Sequence, residues 1–209
     1  MTADWPFGSL PRGGFDVVYA DPPWHFRART ALQMSNWTSR RDAERHYAVM
    51  GIEDIMAMPV KELAAKDCHL FLWVTGPVLP QAFGVIKAWG FRYSAVAFTW
   101  VKLKKSHNPN QLRTLPSMEH DLHVGLGLTT RKNAEFCLLG RRGSVKRVSK
   151  SVREIILSPV RAHSQKPDAA RERIEAYVGP GLRMVELFAR TTAPNWSAWG
   201  NEVGALDGR

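Results

Sequence analysis

Apolar and polar positions along the chain follow two periods, one typical of strands and one typical of helices. Short runs rich in β-branched and aromatic residues predict buried strands at about residues 15–20, 69–75, 93–102, 134–140, 154–158, 183–188 and 196–201. Apolar residues at helical spacing predict helices at about 52–64, 78–89 and 165–178, and Gly90 and Gly179 follow the last two as helix-ending glycines. This alternation predicts an α/β fold with a doubly wound, mostly parallel sheet and helices on both faces.

Two long polar stretches interrupt the pattern. Residues 25–50 follow the first strand and are predicted to form an irregular loop, either a functional lid or a disordered segment. We favour a lid, because its arginines would face the substrate side: Arg27, Arg29, Arg40, Arg41 and Arg45. Residues 103–131 form a second polar, basic stretch. No internal repeat or linker divides the sequence, so residues 1–209 are expected to form a single domain.

Charge and cysteine content narrow the class of protein. The 209 residues carry a formal net charge of +10 and a pI of about 10.0, which favours a polyanionic partner such as nucleic acid or else serves solubility. Cys68 and Cys137 lie in apolar runs and are expected to be buried free thiols, and no Cys or His spacing predicts a metal site. Without a signal-peptide pattern or an apolar run of membrane-spanning length, the protein is expected to be soluble and cytoplasmic.

The tetrapeptide Asp21-Pro22-Pro23-Trp24 ends the first predicted strand. Open α/β sheets bind ligands at the carboxyl ends of their strands, and the two prolines make this turn stiff. Asp21 and the Pro22 carbonyl can accept hydrogen bonds from the exocyclic amine of a nucleobase and so localise its lone pair, while Trp24 can stack on the base. The alternative is a plain Pro-Pro turn in which Asp21 caps a helix.

The same tetrapeptide resembles the catalytic motif of the MT-A70 family, the S-adenosylmethionine-dependent adenine-N6 methyltransferases. Further segments resemble that family in the same order and cover about residues 15–203: His46-Tyr47 with Met50, then residues 69–74, 88–91, 163–168, 186–190 and 199–202. The resemblance implies the Rossmann-like methyltransferase fold in a permuted order. The catalytic half would come first, and the part that binds the methyl donor would span about residues 163–203.

The resemblance also implies a set of donor-binding residues. Lys166 would pair with the methionine carboxylate of S-adenosylmethionine near a helix N-terminus, and the alternative for a lone lysine there is a solvated surface charge. Asp21 would lie near the methionine amino group. The ribose and adenine side would be organised by Glu186, Arg190, Asn201 and Glu202, and the donor adenine by the backbone at Asp4 and Trp5. Thr191 and Thr192 stand where some relatives have His or Asn.

Other residues are candidates for contact with the methyl-accepting substrate. The resemblance places Glu135 near the target base or the donor entrance, and a surface charge is the alternative. Residues 141–153 contain no acid, and their basic side chains are predicted to contact phosphates: Arg141, Arg142, Lys146 and Arg147, with Arg27 and Arg29 from the lid. Lys102, Lys104, Lys105 and Arg113 can serve the same purpose, and either run can instead be a solvated face.

Three functions remain open at this point. The first is adenine-N6 methylation of nucleic acid, with DNA favoured over RNA and with the target base flipped or single-stranded. The second is a non-catalytic, nucleic-acid-binding partner subunit, although such relatives lose the acid or the aromatic residue of the tetrapeptide and this chain keeps both. The third is cytosine-N4 methylation, for which related motifs carry Ser or Asn in the place of Asp21. No metal is expected, and a homodimer or a partner subunit remains open.

Overall fold

A computed structural model of the chain describes residues 5–25, 50–107, 119–125, 130–162 and 165–207. The first half of the described elements consists of β1 (Phe15–Ala20), α1 (Ile52–Ala57), α2 (Val60–Leu63), β2 (Ala64–Val74), a 3-10 turn (Gly76–Val78) and α3 (Leu79–Ala88). The second half consists of β3 (Arg92–Leu103), β4 (Ala134–Arg142), β5 (Ile155–Pro159), α4 (Ala169–Val178), β6 (Met184–Leu187) and β7 (Trp196–Trp199).

The seven strands form one sheet in the order β5-β3-β4-β2-β1-β6-β7. β4 runs antiparallel to both of its neighbours, β2 and β3, whereas the other neighbouring pairs are parallel. Six strands therefore end at the same edge, which we term the carboxyl edge, and β4 begins there. The opposite edge is termed the amino edge. The predicted α/β fold with a mostly parallel sheet is confirmed.

Alternate residues of the central strands enter two different apolar clusters. Val18 and Leu72 pack on one face with Leu63 and Val85 of the helices α2 and α3. On the other face, Tyr19 and Trp73 pack in the cluster that contains Ile174 and Val178 of α4. The period of two in a strand produces this division, and each large side chain buried in this way contributes about 1.5–3 kcal/mol.

The helix predicted over residues 52–64 is wrong, because the structure divides it. α1 ends at Ala57, Met58 adopts an extended backbone with ψ 133°, and Pro59 precedes α2. A proline disfavours helical geometry in the residue before it and donates no backbone hydrogen bond, so it breaks the helix. β2 also begins five residues earlier than predicted, at Ala64, whereas the remaining strands start within one or two residues of their predicted positions.

Several predictions fall outside the described residues. They concern nearly all of the lid, residues 26–49, with Arg27 and Arg29, and also Asp4 and Arg113. The helix predicted to start at about residue 165 begins later, at Ala169, with Asp168 in the N-cap position. Within the described ranges, Cys68 and Cys137 are buried and free, as predicted. None of the helices in the described part of the chain is long and apolar enough to cross a membrane.

Candidate active site

The turn after β1 is fixed by backbone hydrogen bonds. The Trp24 amide donates to the Pro22 carbonyl at 2.8 Å, and the Met50 amide donates to the Pro23 carbonyl at 2.9 Å. The His25 amide donates in return to the Met50 carbonyl at 3.2 Å. Since a carbonyl oxygen has two lone pairs, the Pro22 carbonyl keeps one for a ligand. The turn therefore presents Asp21 and a carbonyl from a rigid backbone.

Trp24 lies in the core. Its side chain belongs to an apolar cluster, the residue is 7% exposed, and its indole Nε1 donates to the Trp73 carbonyl at 3.0 Å. The Trp73 indole in turn donates to the Tyr19 hydroxyl at 2.6 Å. This chain of aromatic side chains holds the turn against β1 and β2. Little of the Trp24 ring faces solvent, so its stacking on a base stays a prediction.

Four alternating charges meet at the carboxyl edge. Lys166 Nζ lies 2.5 Å from Asp21 Oδ2 and 3.4 Å from Glu135 Oε2, and Lys102 Nζ pairs with Glu135 Oε1. Lys166 also lies 5.5 Å from the ring centroid of Trp73. We term these four residues the charge chain: Lys102, Glu135, Lys166 and Asp21. Their side chains are between 13% and 25% exposed, so solvent screens them weakly.

Burial and mutual attraction set the ionisation of the charge chain. Burial alone would lower the pKa of Lys166, but Asp21 and Glu135 outweigh it and raise this pKa above its ordinary value, so Lys166 is an ammonium at neutral pH. Burial raises the pKa of Asp21 against the attraction of Lys166. Burial also acts to raise the pKa of Glu135, yet the charges of Lys166 and Lys102 bring it below its ordinary value.

The direction of β4 explains why Glu135 belongs to this site. β4 begins at the carboxyl edge, where Glu135 pairs with Trp100 of β3 and the next residue, Phe136, pairs with Val74 of β2. The alternatives that treated Glu135 and Lys166 as solvated surface charges are therefore wrong. A narrow pocket continues from Asp21 and Lys166 toward β6 and is lined also by Tyr19, Gln165, Pro167, Asp168, Arg171, Glu186, Phe188, Arg190, Thr191 and Leu206.

The far side of this pocket holds two further ion pairs. Arg171 Nε lies 2.7 Å from Glu186 Oε2, and Arg190 Nε lies 2.7 Å from Glu202 Oε2. Phe188, which follows β6, has a φ of 62°, a conformation that non-glycine residues seldom adopt and that occurs often at ligand sites. Asn201 is exposed in the turn after β7. The predicted donor residues Glu186, Arg190 and Glu202 thus lie together near the charge chain.

Trp5 lies beside the end of β7. Its indole Nε1 donates to the Leu10 carbonyl at 2.8 Å, and the guanidinium carbon of Arg12 lies 4.2 Å from its ring centroid. Phe7 packs edge-on against Trp199 at 5.1 Å between ring centroids, and the Trp199 indole donates to the Pro6 carbonyl. The segment that begins at Trp5 therefore reaches the same edge as the pocket.

The basic run at residues 141–147 lies at the other edge of the sheet. Arg141 and Arg142 end β4, where they pair with His69 and Cys68 of β2, level with the start of β1, and Lys146 and Arg147 are exposed beyond them. Glu135 and Arg141 are six residue steps apart along β4, or about 20 Å. The structure therefore does not bring this run to Asp21. Of the basic residues predicted to contact phosphates, Lys104 and Lys105 follow β3 at the carboxyl edge and are exposed.

Sequence reasoning missed two residues of the pocket, Arg171 and Tyr19. Arg171 stands three and seven residues before Ile174 and Val178, which are buried in α4. A charged residue on the apolar stripe of a helix is the pattern that could have revealed it. Tyr19 was included in the predicted strand β1, but its contact with Trp73 depends on strand pairing.

A second, wider pocket lies at the amino edge and has fewer side chains that could take part in a reaction. It is lined mainly by glycine, proline and apolar residues between the start of β1 and the end of α4, and its one carboxylate, Glu175, accepts a hydrogen bond from the Trp196 indole. Among the residues that the structure describes, no group of three His, Cys, Asp or Glu side chains could hold a metal ion.

Comparison with known proteins identifies the family. A family model described as MT-A70 matches residues 15–202. The Type II methyltransferase M.MunI of Mycoplasma sp is 31% identical over 212 residues, which cover 96% of this chain and 82% of that protein. The human N(6)-adenine-specific methyltransferase METTL4 is 30% identical over 196 residues, 92% of this chain but 38% of that protein. The human N(6)-adenosine-methyltransferase catalytic subunit METTL3 is 30% identical over 198 residues, 93% of this chain but 29% of that protein.

Proposed function

The chain belongs to the MT-A70 family, and from this premise we propose that it transfers a methyl group from S-adenosylmethionine to the N6 amine of adenine in nucleic acid, preferentially DNA. The observation that carries the proposal is the contact of 2.5 Å between Lys166 and Asp21 at the carboxyl edge. Asp21, which can accept hydrogen bonds from an amine, and Lys166, which can bind a carboxylate, therefore lie in one pocket. A methyl donor held by Lys166 would therefore lie beside an amine held by Asp21.

The pocket residues fit S-adenosylmethionine by their chemistry. This donor carries a carboxylate, an ammonium and a ribose diol, and it supplies a methyl group made electrophilic by a sulfonium. Lys166 would hold the carboxylate, and the nearby carboxylate of Asp21 suits the ammonium, while Glu186 and Arg190 would organise the ribose and adenine side. Glu202 and Asn201 would accept hydrogen bonds from the ribose hydroxyls, and the backbone at Trp5 would read the donor adenine.

In this reaction the protein would hold the adenine N6 amine so that its nitrogen lone pair faces the methyl group. The second oxygen of Asp21 and the second lone pair of the Pro22 carbonyl can each accept one N–H of an adenine amine. Two such bonds oppose delocalisation of the lone pair into the ring, and the stiff turn needs little rearrangement. After transfer the nitrogen is cationic and acidic, so its extra proton passes to Asp21 or to water.

One observation favours DNA over RNA as the substrate, and a second favours nucleic acid of either kind. The chain covers 82% of a bacterial type II methyltransferase but less than two-fifths of the human relatives. Its net charge of +10 suits a polyanion of either kind. RNA remains the alternative, because an N(6)-adenosine-methyltransferase is among its relatives. The intact Asp21 and Trp24 favour a catalytic chain over a non-catalytic partner subunit.

We also propose that the chain is a single methyltransferase domain with the doubly wound, permuted Rossmann-like fold of these enzymes. Helices contribute to the apolar clusters on both faces of the sheet, which supports double winding. The turn with Asp21 follows the first strand, while Glu186 and Glu202 follow later in the chain on β6 and beyond β7. This order agrees with a catalytic half that precedes the donor-binding half.

Analysis of the methylated product tests the proposed function. The purified protein is incubated with labelled S-adenosylmethionine and separate DNA and RNA pools, which are then digested to nucleosides. Labelled N6-methyldeoxyadenosine is the expected product, and the Asp21→Asn variant should form it far more slowly. Label in N6-methyladenosine would move the substrate to RNA, and label in N4-methylcytosine would replace adenine as the target. No labelled nucleoside from either pool would overturn the proposal.

A further inference from the structure

We propose that Arg171 is a positioning residue for the donor pocket, which fixes Glu186 as an ionised acceptor for the bound donor. This inference rests on the proposed function, since it names a residue through which the donor is recognised. Arg171 lies in the first turn of α4 and its side chain is 17% exposed. It acts on the donor through Glu186.

Three contacts fix the guanidinium of Arg171. Its Nε lies 2.7 Å from Glu186 Oε2, and its Nη2 donates to Thr191 Oγ1 at 2.6 Å. Its Nη1 lies 3.4 Å from Asp168 Oδ1. These partners belong to the end of β6, the segment that follows it and the residue before α4. The planar guanidinium therefore ties together the three segments that line one side of the pocket.

The contact with Glu186 leaves that residue able to bind a ligand. The ion pair engages Oε2 and leaves the lone pairs of Oε1 without a hydrogen bond from the residues that the structure describes, and both Glu186 and Arg171 line the pocket that leads to Asp21 and Lys166. An arginine directed at one oxygen fixes the orientation of the whole carboxylate. Arg171 thus holds the Glu186 carboxylate in one orientation while that carboxylate can still bind a ligand.

Glu186 needs the ion pair with Arg171 because its carboxylate is buried. The Glu186 side chain is 12% exposed, and burial raises its pKa above the ordinary value even though the contact with Arg171 lowers it. Tyr19 pairs with Glu186 across β1 and β6 and is neutral, because burial and Glu186 raise its own pKa. Removing Arg171 would therefore raise the pKa of Glu186 further, favour its protonated form and weaken it as an acceptor.

Donor binding as a function of pH tests this role. The affinity for S-adenosylhomocysteine is measured by calorimetry from pH 6 to pH 9 for the wild type, Arg171→Met, Arg171→Lys, Glu186→Gln and the Arg171→Met/Glu186→Gln double variant. Arg171→Met should bind about tenfold more weakly at pH 6 and recover as the pH rises and Glu186 ionises. Arg171→Lys restores the charge and should flatten this pH profile. Glu186→Gln and the double variant should bind weakly at every pH.

Arg173→Met is the matched control. Arg173 lies on the same helix, but its guanidinium donates to the carbonyls of Arg153 and Ile155 at 2.7 Å and is not part of the pocket. This variant should bind S-adenosylhomocysteine as the wild type does at each pH.

The outcomes separate this inference from the proposed function. A folded Arg171→Met variant with wild-type affinity and a flat pH profile would overturn the role of Arg171. If Arg171→Met does not fold, the Glu186→Gln variant tests the same role. Wild-type affinity for S-adenosylhomocysteine in that variant would equally overturn the role of Arg171. A wild-type protein that binds no S-adenosylhomocysteine at any pH would instead contradict the proposed methyltransferase function.

Discussion

Lys166 and Asp21 are 145 residues apart in the sequence, and Lys166 Nζ lies 2.5 Å from Asp21 Oδ2. The contact joins the turn after β1 to the segment before α4 at the carboxyl edge of the sheet. A ligand carboxylate that binds Lys166 would compete with Asp21 for the same ammonium. Donor binding would then free Asp21 for an amine, so the two ligands should assist each other in the pocket.

Asp21→Asn should slow methyl transfer strongly while the chain stays folded. The amide keeps the shape of the carboxylate but offers the amine a weaker acceptor, and a loss of about 10²–10³ in kcat is expected by analogy with other pre-oriented polar groups. Single-turnover rates and circular dichroism measure the two effects. Asp16→Asn is the control, because Asp16 lies at the amino end of β1 and pairs with Arg183. A folded Asp21→Asn protein with near-wild-type rates would rule out the acceptor role.

Lys166→Met should lower the free energy of unfolding by about 3–5 kcal/mol, because it leaves two partly buried carboxylates, Asp21 and Glu135, without their shared cation. Adding Glu135→Gln should restore part of this loss. Urea denaturation of the single and double variants measures the coupling, with the exposed Lys104→Met as control. Equal stability of Lys166→Met and the wild type would show that the contact contributes little.

Trp24→Ala should destabilise the chain by about 3–5 kcal/mol, as expected for a large side chain removed from a core. Trp24→Phe loses the hydrogen bond to the Trp73 carbonyl but keeps most of the packing, so a loss of about 0.5–1.5 kcal/mol is expected. Thermal unfolding and the KM for substrate are measured together. A Trp24→Ala variant with unchanged stability and a raised KM would favour stacking on the base over a place in the core.

The two basic surfaces should differ in their contribution to nucleic-acid binding. Replacing Lys104 and Lys105 by Ala should flatten the slope of log affinity against log salt by about 0.9 per lost contact on duplex DNA. Replacing Lys146 and Arg147 by Ala removes the same charge at the amino edge and should leave the slope unchanged. The reverse result would indicate that nucleic acid binds along residues 141–147. Fluorescence anisotropy at several salt concentrations distinguishes the two.

Glu135 should stabilise the chain in a defined pH range. Its folded-state pKa lies below the ordinary value of 4.5, so its contribution to stability is present above pH 4.5 and is lost as the pH falls through the lower, folded-state pKa. The difference in unfolding free energy between the wild type and Glu135→Gln should therefore shrink on acidification below that value. A constant difference from pH 7 to pH 3 would contradict the ion pairs with Lys102 and Lys166.

Local chemistry allowed much of the fold to be predicted from the sequence. The strand β1 and the turn at Asp21 follow from an apolar run stopped by two prolines, and Gly90 and Gly179 follow α3 and α4 with φ of 82°. Burial of the two cysteines follows from the apolar runs around them. The break at Pro59 was also local, but the apolar spacing on both sides of it favoured a continuous helix.

The tertiary structure decided which charges meet. Glu135 and Arg141 lie on one strand, and nothing in their spacing shows which end faces Asp21. Because β4 runs antiparallel to β2 and β3, Glu135 joins Lys166 at the carboxyl edge and Arg141 lies at the amino edge. In the same way, Trp24 enters the core through a hydrogen bond to β2, 49 residues away. The direction of a strand depends on pairing between segments distant in sequence, whereas turns and burial patterns depend on neighbouring residues.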